Sequence, residues 1–187
     1  MLWSETVPEH VFESTSGPKT RVTTVAGMLN EKPPPQPAPK SWAARPENDV
    51  AVWLIELEAG AEWELPATNS GASRMLYFYR GKGAKVAGSS FTSRSGVQLE
   101  SGAPATLEAS DGPASFLMLQ GKPIAEPVAH HGPFVMNRRE ELVQAFDDYR
   151  RTQFGGWPWG RNDPTHARDA GRFASYPGGK VDKPITG

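Results

Sequence analysis

The chain has 187 residues, rich in Gly (19) and Pro (18), with 37% apolar residues and a net charge of −1. So many chain breakers exclude a helical bundle and favour short strands joined by turns, and the charge balance supplies no field to draw nucleic acid or an anionic membrane. The absence of cysteine excludes disulfides, thiolate metal sites and a cysteine nucleophile. The opening MLWSETVPEH has no signal-peptide character and no stretch is apolar for long enough to span a bilayer, so a cytoplasmic location is expected.

Residues 20–29 read as a strand ending near Gly27, with Val22, Thr24 and Val25 favouring extended backbone. Five prolines between 33 and 39 then give 31–40 the character of a polyproline spacer over the surface. The clearest strand is DVAVWLIELE (49–58), with Ala51, Trp53, Ile55 and Leu57 on one face and Val50, Val52 and Leu54 on the other. A pattern apolar on both faces predicts burial between two sheets. AEWELP makes a shorter strand, 66–73 a loop, and RMLYFYR (74–80) a strand closed by the turn Gly81-Lys82-Gly83. Short strands follow at 84–88, 96–100 and 104–110, and SFLMLQG (115–121) is again apolar on both faces. This spacing predicts a sandwich or barrel.

One helix is expected over about 137–153, N-capped by Asn137 with Glu140 completing a capping box, and with Leu142, Phe146 and Tyr149 on its apolar stripe. The rest reads as an irregular tail whose Trp157, Trp159, Phe173 and Tyr176 predict packing against the barrel or a partner. The expected division is therefore 1–136 for the barrel and 137–187 for helix and tail.

A metal centre of the barrel-oxygenase kind needs a His-x-His pair, a glutamate and a later histidine, framed by turn glycines. Laid from Gly60 to Gly81, that pattern puts Pro66 and Thr68 at the histidine positions, Arg74 at the glutamate and Ala105 at the last histidine. None is a competent ligand set, so no metal and no cofactor are expected, and no catalytic residue is named. Adjacent His130 and His131 point to opposite sides of an extended segment and do not readily chelate one ion. Arg74 could offer a guanidinium to a carboxylate or phosphate in the barrel mouth, or pair as a strand-end charge with Glu64. Tyr77 lies on a tyrosine-bearing strand face that serves either a site or core packing. Arg74, Tyr77, His131, Trp157 and Trp159 are the candidate ligand or interface residues.

EPVAHHGPFVMNRREELVQAFDDYRRTQFGGWPW (126–159) closely resembles the C-terminal hallmark of the pirin family, in which a GKPIAEPV-like strand leads to GPFVMN, an Arg/Glu-rich helix and a Phe-Gly stop. The resemblance extends through LPATNSGASRMLYFYRG, FLMLQGKPIAEP and DPTHARDAGRFA, and MLWSETVP is similar to the segment that opens a pirin's second half. Pirins are bicupins with a metal in the N-terminal barrel, so the resemblance implies an all-β cupin-type (RmlC-like) barrel or double-stranded sandwich plus one C-terminal helix, corresponding to the second barrel alone. The empty ligand template and the aromatic tail together point to a metal-free structural or partner-binding module, whose expected partner is an N-terminal cupin domain, a second chain or another copy of itself. The alternatives are part of a pirin-type quercetin 2,3-dioxygenase whose metal-bearing barrel lies elsewhere, and a cofactor-free barrel enzyme using Arg74, Tyr77 or His131.

Overall fold

The structure is a computed structural model that describes residues 2–15, 17–68, 71–157, 160 and 166–184. The chain divides into two compact units, residues 1–123 with 184–187, and 124–183. The boundary expected at 136 therefore falls inside the second unit.

The first unit carries strands β1 (Glu9–Glu13), β2 (Lys19–Ala26), β3 (Ala51–Leu57), β4 (Glu62–Leu65), β5 (Ser73–Arg80), β6 (Ala84–Val86), β7 (Ser89–Phe91), β8 (Ser95–Leu99), β9 (Ala105–Ala109) and β10 (Ala114–Gly121). They form a six-stranded sheet of order β1-β2-β3-β10-β5-β8 and a four-stranded sheet of order β4-β9-β6-β7, with the named neighbours antiparallel. The expected cupin-type sandwich is present, as two sheets and not as a closed barrel. Alternation places Trp53, Ile55, Leu76, Phe78, Phe116 and Met118 of the larger sheet in one buried cluster with Trp63, Leu65, Val86 and Leu107 of the smaller.

The double burial expected of the 49–58 strand does not occur. Ala51, Trp53, Ile55 and Leu57 are buried, but Val52 is half-buried and Leu54 is 38% exposed. In register beside them lie Leu117 opposite Leu54 and Leu119 opposite Val52, and across the next ladder Tyr77 and Met75. Leu119 is 37% exposed. The outer face of β3, β10 and β5 is thus an apolar surface open over three strands.

The proline segment bears no strand beyond a single bridge between Leu29 and Lys32. It leads to Trp42, whose indole Nε1 donates to Lys122 O (3.0 Å), while Asn48 Nδ2 donates to Trp42 O (2.8 Å). Gly27, at φ +81°, ends β2 so close to β3 that an added Cβ would stand 2.5 Å from Ala51 Cβ and 2.8 Å from Val50 O.

The second unit holds the hairpin β11 (Ala129–His131) and β12 (Phe134–Met136), the helix α1 (Arg139–Thr152), and a small hairpin β13 (Ala174–Ser175) and β14 (Val181–Asp182) inside the tail read as irregular. Residues 122–128, the GKPIAEPV segment expected as a strand, have no regular structure beyond Gly121. The helix starts one residue later than its capping motif predicts. Asn137 Nδ2 is held by Glu126 (2.7 Å), so Arg138 becomes the N-cap and Glu141, not Glu140, accepts from the backbone N–H of Arg138 (2.9 Å) and Asn137 (3.1 Å). It ends at Gln153 in the left-handed region (φ 50°), before Gly155 and Gly156 are reached. Leu142 is buried, Phe146 is half-buried, and Phe134 meets Phe146, Tyr149 and Phe154 edge-on at 4.8, 6.4 and 5.9 Å.

Gly27→Ala is expected to destabilise the fold by about 2–4 kcal/mol, because a left-handed backbone strain is added to a backbone clash. Gly17→Ala, also at positive φ (+100°) but with no atom within 4 Å of its added Cβ, should cost only about 1 kcal/mol. Urea unfolding of the two variants checks the difference.

Candidate functional site

The positions of the metal template converge at one end of the sandwich. Pro66 follows β4, whose Leu65 pairs with Ala105, and Arg74 at the start of β5 pairs with Leu99 at the end of β8. Arg74 alternates inward, and at 1% exposure it is the largest of the fully buried side chains. Its Nη1 donates to Glu100 O (3.2 Å) and Ala103 O (3.1 Å), and its Nη2 to Pro66 O (2.7 Å). Nε has no partner among the described residues. Burial lowers the guanidinium pKa, with the Asp49 carboxylate opposing that shift, and a guanidinium so bound remains a cation. The pairing with Glu64 does not form, because Glu64 is exposed on the opposite side of β4 from the buried Trp63 and Leu65.

Thr68 Oγ1 donates to the Asp49 carboxylate, and Thr68 N–H donates to Ser101 O at 2.7 Å. Asp49 itself sits in the left-handed region (φ 49°), and Gln120 Nε2 donates to its carbonyl at 3.3 Å. Beside this network lies a cavity of about 290 Å³ lined in part by Asp49, Trp53, Pro66, Thr68 and Gln120. The residues do not fit a divalent ion. Proline and alanine bring no ligand atom, Thr68 is committed to Asp49, and a fixed positive charge stands at the glutamate position. Among the described residues no group of three or more His, Asp or Glu is placed to hold a metal.

The other candidates do not join Arg74. Tyr77 lies on the outer face of β5, against the edge of Gly96 in β8, while its neighbours Leu76 and Phe78 point into the core. His131 belongs to the second unit, where its ring meets Phe146 at 5.5 Å. There β11 and one flank of α1 enclose a groove of about 890 Å³ whose lining includes His130, His131, Arg138, Arg139, Leu142 and Phe146. Trp157 is exposed, and Trp159 lies outside the described residues.

One buried titratable group was not singled out from sequence. His10 in β1 is 6% exposed, with Nε2 at 3.5 Å from Thr24 Oγ1 and its ring stacked 6.5 Å from Phe12. Burial, and then the charge of Lys32, lower its pKa. Its signal in EHVFE was alternation: His10 and Phe12 share a parity that the strand turns inward.

Residues 52–155 match the family described as the pirin C-terminal cupin domain. A pirin-like protein of Caulobacter vibrioides is 42% identical over 57% of this chain and 37% of its own length. A Pseudomonas aeruginosa protein provisionally named quercetin 2,3-dioxygenase is 32% identical over 76% of this chain and 49% of its own. A crystal structure of quercetin 2,3-dioxygenase from Acinetobacter baumannii shares the fold, with a TM-score of 0.65 at 20% identity over 83% of this chain and 50% of that one. The chain thus spans half or less of the length of each of these relatives.

Arg74→Met should lower stability by about 3 kcal/mol or more, since three buried carbonyls lose their donor, and Arg74→Lys should rescue only part, because one ammonium cannot reproduce the planar fork; chemical denaturation reads both. A histidine whose folded pKa is depressed favours unfolding when protonated, so stability is full above the ordinary imidazole value of ~6.5 and declines as pH falls below it toward the folded pKa. Melting temperatures between about pH 7 and pH 5 should show that decline, and His10→Gln should flatten it.

Proposed function

The chain belongs to the pirin family, as its C-terminal cupin domain, and from that premise we propose that it works as a metal-free cupin half that binds and supports a metal-bearing cupin domain. The observation that carries this reading is Arg74. Its guanidinium stands at the template's glutamate position and is held by the carbonyls of Pro66, Glu100 and Ala103. A divalent ion brought there would meet an existing positive charge in a medium that screens poorly. The open face of β3, β10 and β5, with Leu54, Leu117, Leu119 and Tyr77 in adjacent register, is the surface assigned to the other cupin domain. An apolar sheet face of this kind marks an interaction site more often than a solvated surface.

A second reading has support in relatives such as the Pseudomonas aeruginosa protein named provisionally for quercetin 2,3-dioxygenase, which matches three-quarters of this chain. Under it the chain contributes structure to a flavonol-cleaving enzyme whose metal ligands lie in the other domain. Arg74 and Tyr77 have no part in chemistry under either reading.

Purified chain incubated with iron, nickel or manganese and then dialysed should retain far less than one equivalent by elemental analysis. It should not consume quercetin in a spectrophotometric assay with any of these metals. Stoichiometric metal that is lost on His130→Ala/His131→Ala, or quercetin turnover by this chain alone, would overturn the proposal.

A further inference from the structure

The second unit separates its charges in a way its packing does not require. The groove between β11 and α1 is lined by three arginines, Arg138, Arg139 and Arg150, and by no carboxylate. Arg150 shares its charge with Asp147 (2.6 Å), whereas Arg138 and Arg139 have no ion pair among the described residues. Between the arginine pair and Arg150 lies an apolar floor of Leu142, Val143 and Phe146, on which Val143 is 62% exposed. Arg139 and Arg150 are eleven residues apart on one helix, about 16 Å at 1.5 Å per residue.

The opposite wall is a strand edge. Among the described residues β11 pairs with β12 alone. The hairpin turns through Gly132 and Pro133, with His131 opposite Phe134. In a two-residue turn that pair exchanges the closing hydrogen bonds, so the next pair, His130 with Val135, does not, and the amide and carbonyl of His130 face outward along the free edge. A free edge beside an apolar floor is a template for one more strand.

We infer that this groove takes an extended peptide segment whose helix-facing residues, every second one along the strand, are acidic at the two ends and apolar between them, and which adds to the edge of β11 as a third strand. Its main chain pairs with His130, the apolar side chain turned to the helix rests on Leu142 and Val143, and the flanking carboxylates on that same face meet Arg138 and Arg139 at one end and Arg150 at the other. About five extended residues span the 16 Å between those ends. The inference stands apart from the domain-pairing role proposed above, since it uses a surface of the second unit alone.

The test is a fluorescence-anisotropy titration of the full chain with a labelled peptide Glu-Thr-Val-Thr-Glu, whose Glu and Val side chains share one face, its counterpart with Lys in place of both Glu, and a version with Pro in place of both Thr. The first peptide should bind saturably and the other two should not, and hydrogen exchange at the His130 amide should slow in the complex. Affinity should fall about tenfold or more in Arg138→Glu/Arg139→Glu and in Val143→Asp, the charge reversal also abolishing much of the salt dependence. Equal binding of the lysine or proline peptide, unchanged affinity in the charge-reversed variant, or no saturation up to about 1 mM peptide would overturn the inference. So would self-association of the chain that blocks the groove, since the occupant would then be a second copy. If the double substitution prevents folding, Val143→Asp and the peptide series still decide, because the peptides probe the unaltered protein.

Discussion

Taking a guanidinium out of water obliges the fold to supply acceptors for its donors, and in this chain the acceptors are main-chain carbonyls. Pro66 O comes from the loop between β4 and β5, and Glu100 O and Ala103 O come from the turn between β8 and β9. Arg74 therefore ties together two connections that each cross between the sheets, β5 and β8 lying in the larger and β4 and β9 in the smaller. The Thr68 N–H to Ser101 O bond joins the same two loops. This end of the sandwich is held by one organic cation and its carbonyl cage, in the place where the template would put a divalent ion. A glutamate at 74 would be costly, because it would leave three buried carbonyls facing a carboxylate.

The same sheet that supplies Arg74 leaves its other face unfinished. β3 and β10 carry apolar residues on both sides, a composition that belongs to strands covered twice, yet only one side meets the smaller sheet. Leu54, Leu117 and Leu119 lie side by side in register with Tyr77 and Met75. Burial of an apolar side chain is worth about 1.5–3 kcal/mol, so a row of them left at partial exposure represents stabilisation that this chain alone does not collect. The matched segments make up 37% and 49% of two relatives' own lengths, which leaves room in those proteins for a second body of similar kind.

Much of this architecture was legible in the residues, and the failures have identifiable causes. The long strands and the helix were readable because side-chain period and turn glycines agree, as for Ser73–Arg80 closed by Gly81. β1 and β7 are brief and polar, EHVFE and SSF, so period alone does not lift them out of loop. The cap moved by one residue because Asn137 was taken by Glu126, a contact eleven positions away that no local motif encodes. The burial of Arg74 was invisible for a different reason. Its partners are backbone carbonyls, whose positions follow from loop geometry and not from residue type, so the sequence offered Glu64 as the obvious partner and the fold used none of its side-chain atoms.

The placement of charge on the two units points to where recognition can reside. In the first unit ion pairs link neighbouring strands, Arg21 with Glu9 and Lys85 with Glu108, or reach across β10, Arg80 with Glu56, and the buried Arg74 is held by carbonyls at both Nη atoms. In the second unit the pairs run along the helix, Arg150 with Asp147 and Arg151 with Asp148, and leave Arg138 and Arg139 beside an apolar floor. Exposed pairs contribute about 0–1 kcal/mol each, so folding gains little from either pattern and does not explain why carboxylates are absent from the groove. A gain that appears only when an anionic strand is bound would explain it, since the arginines then act on charges that the free chain does not possess.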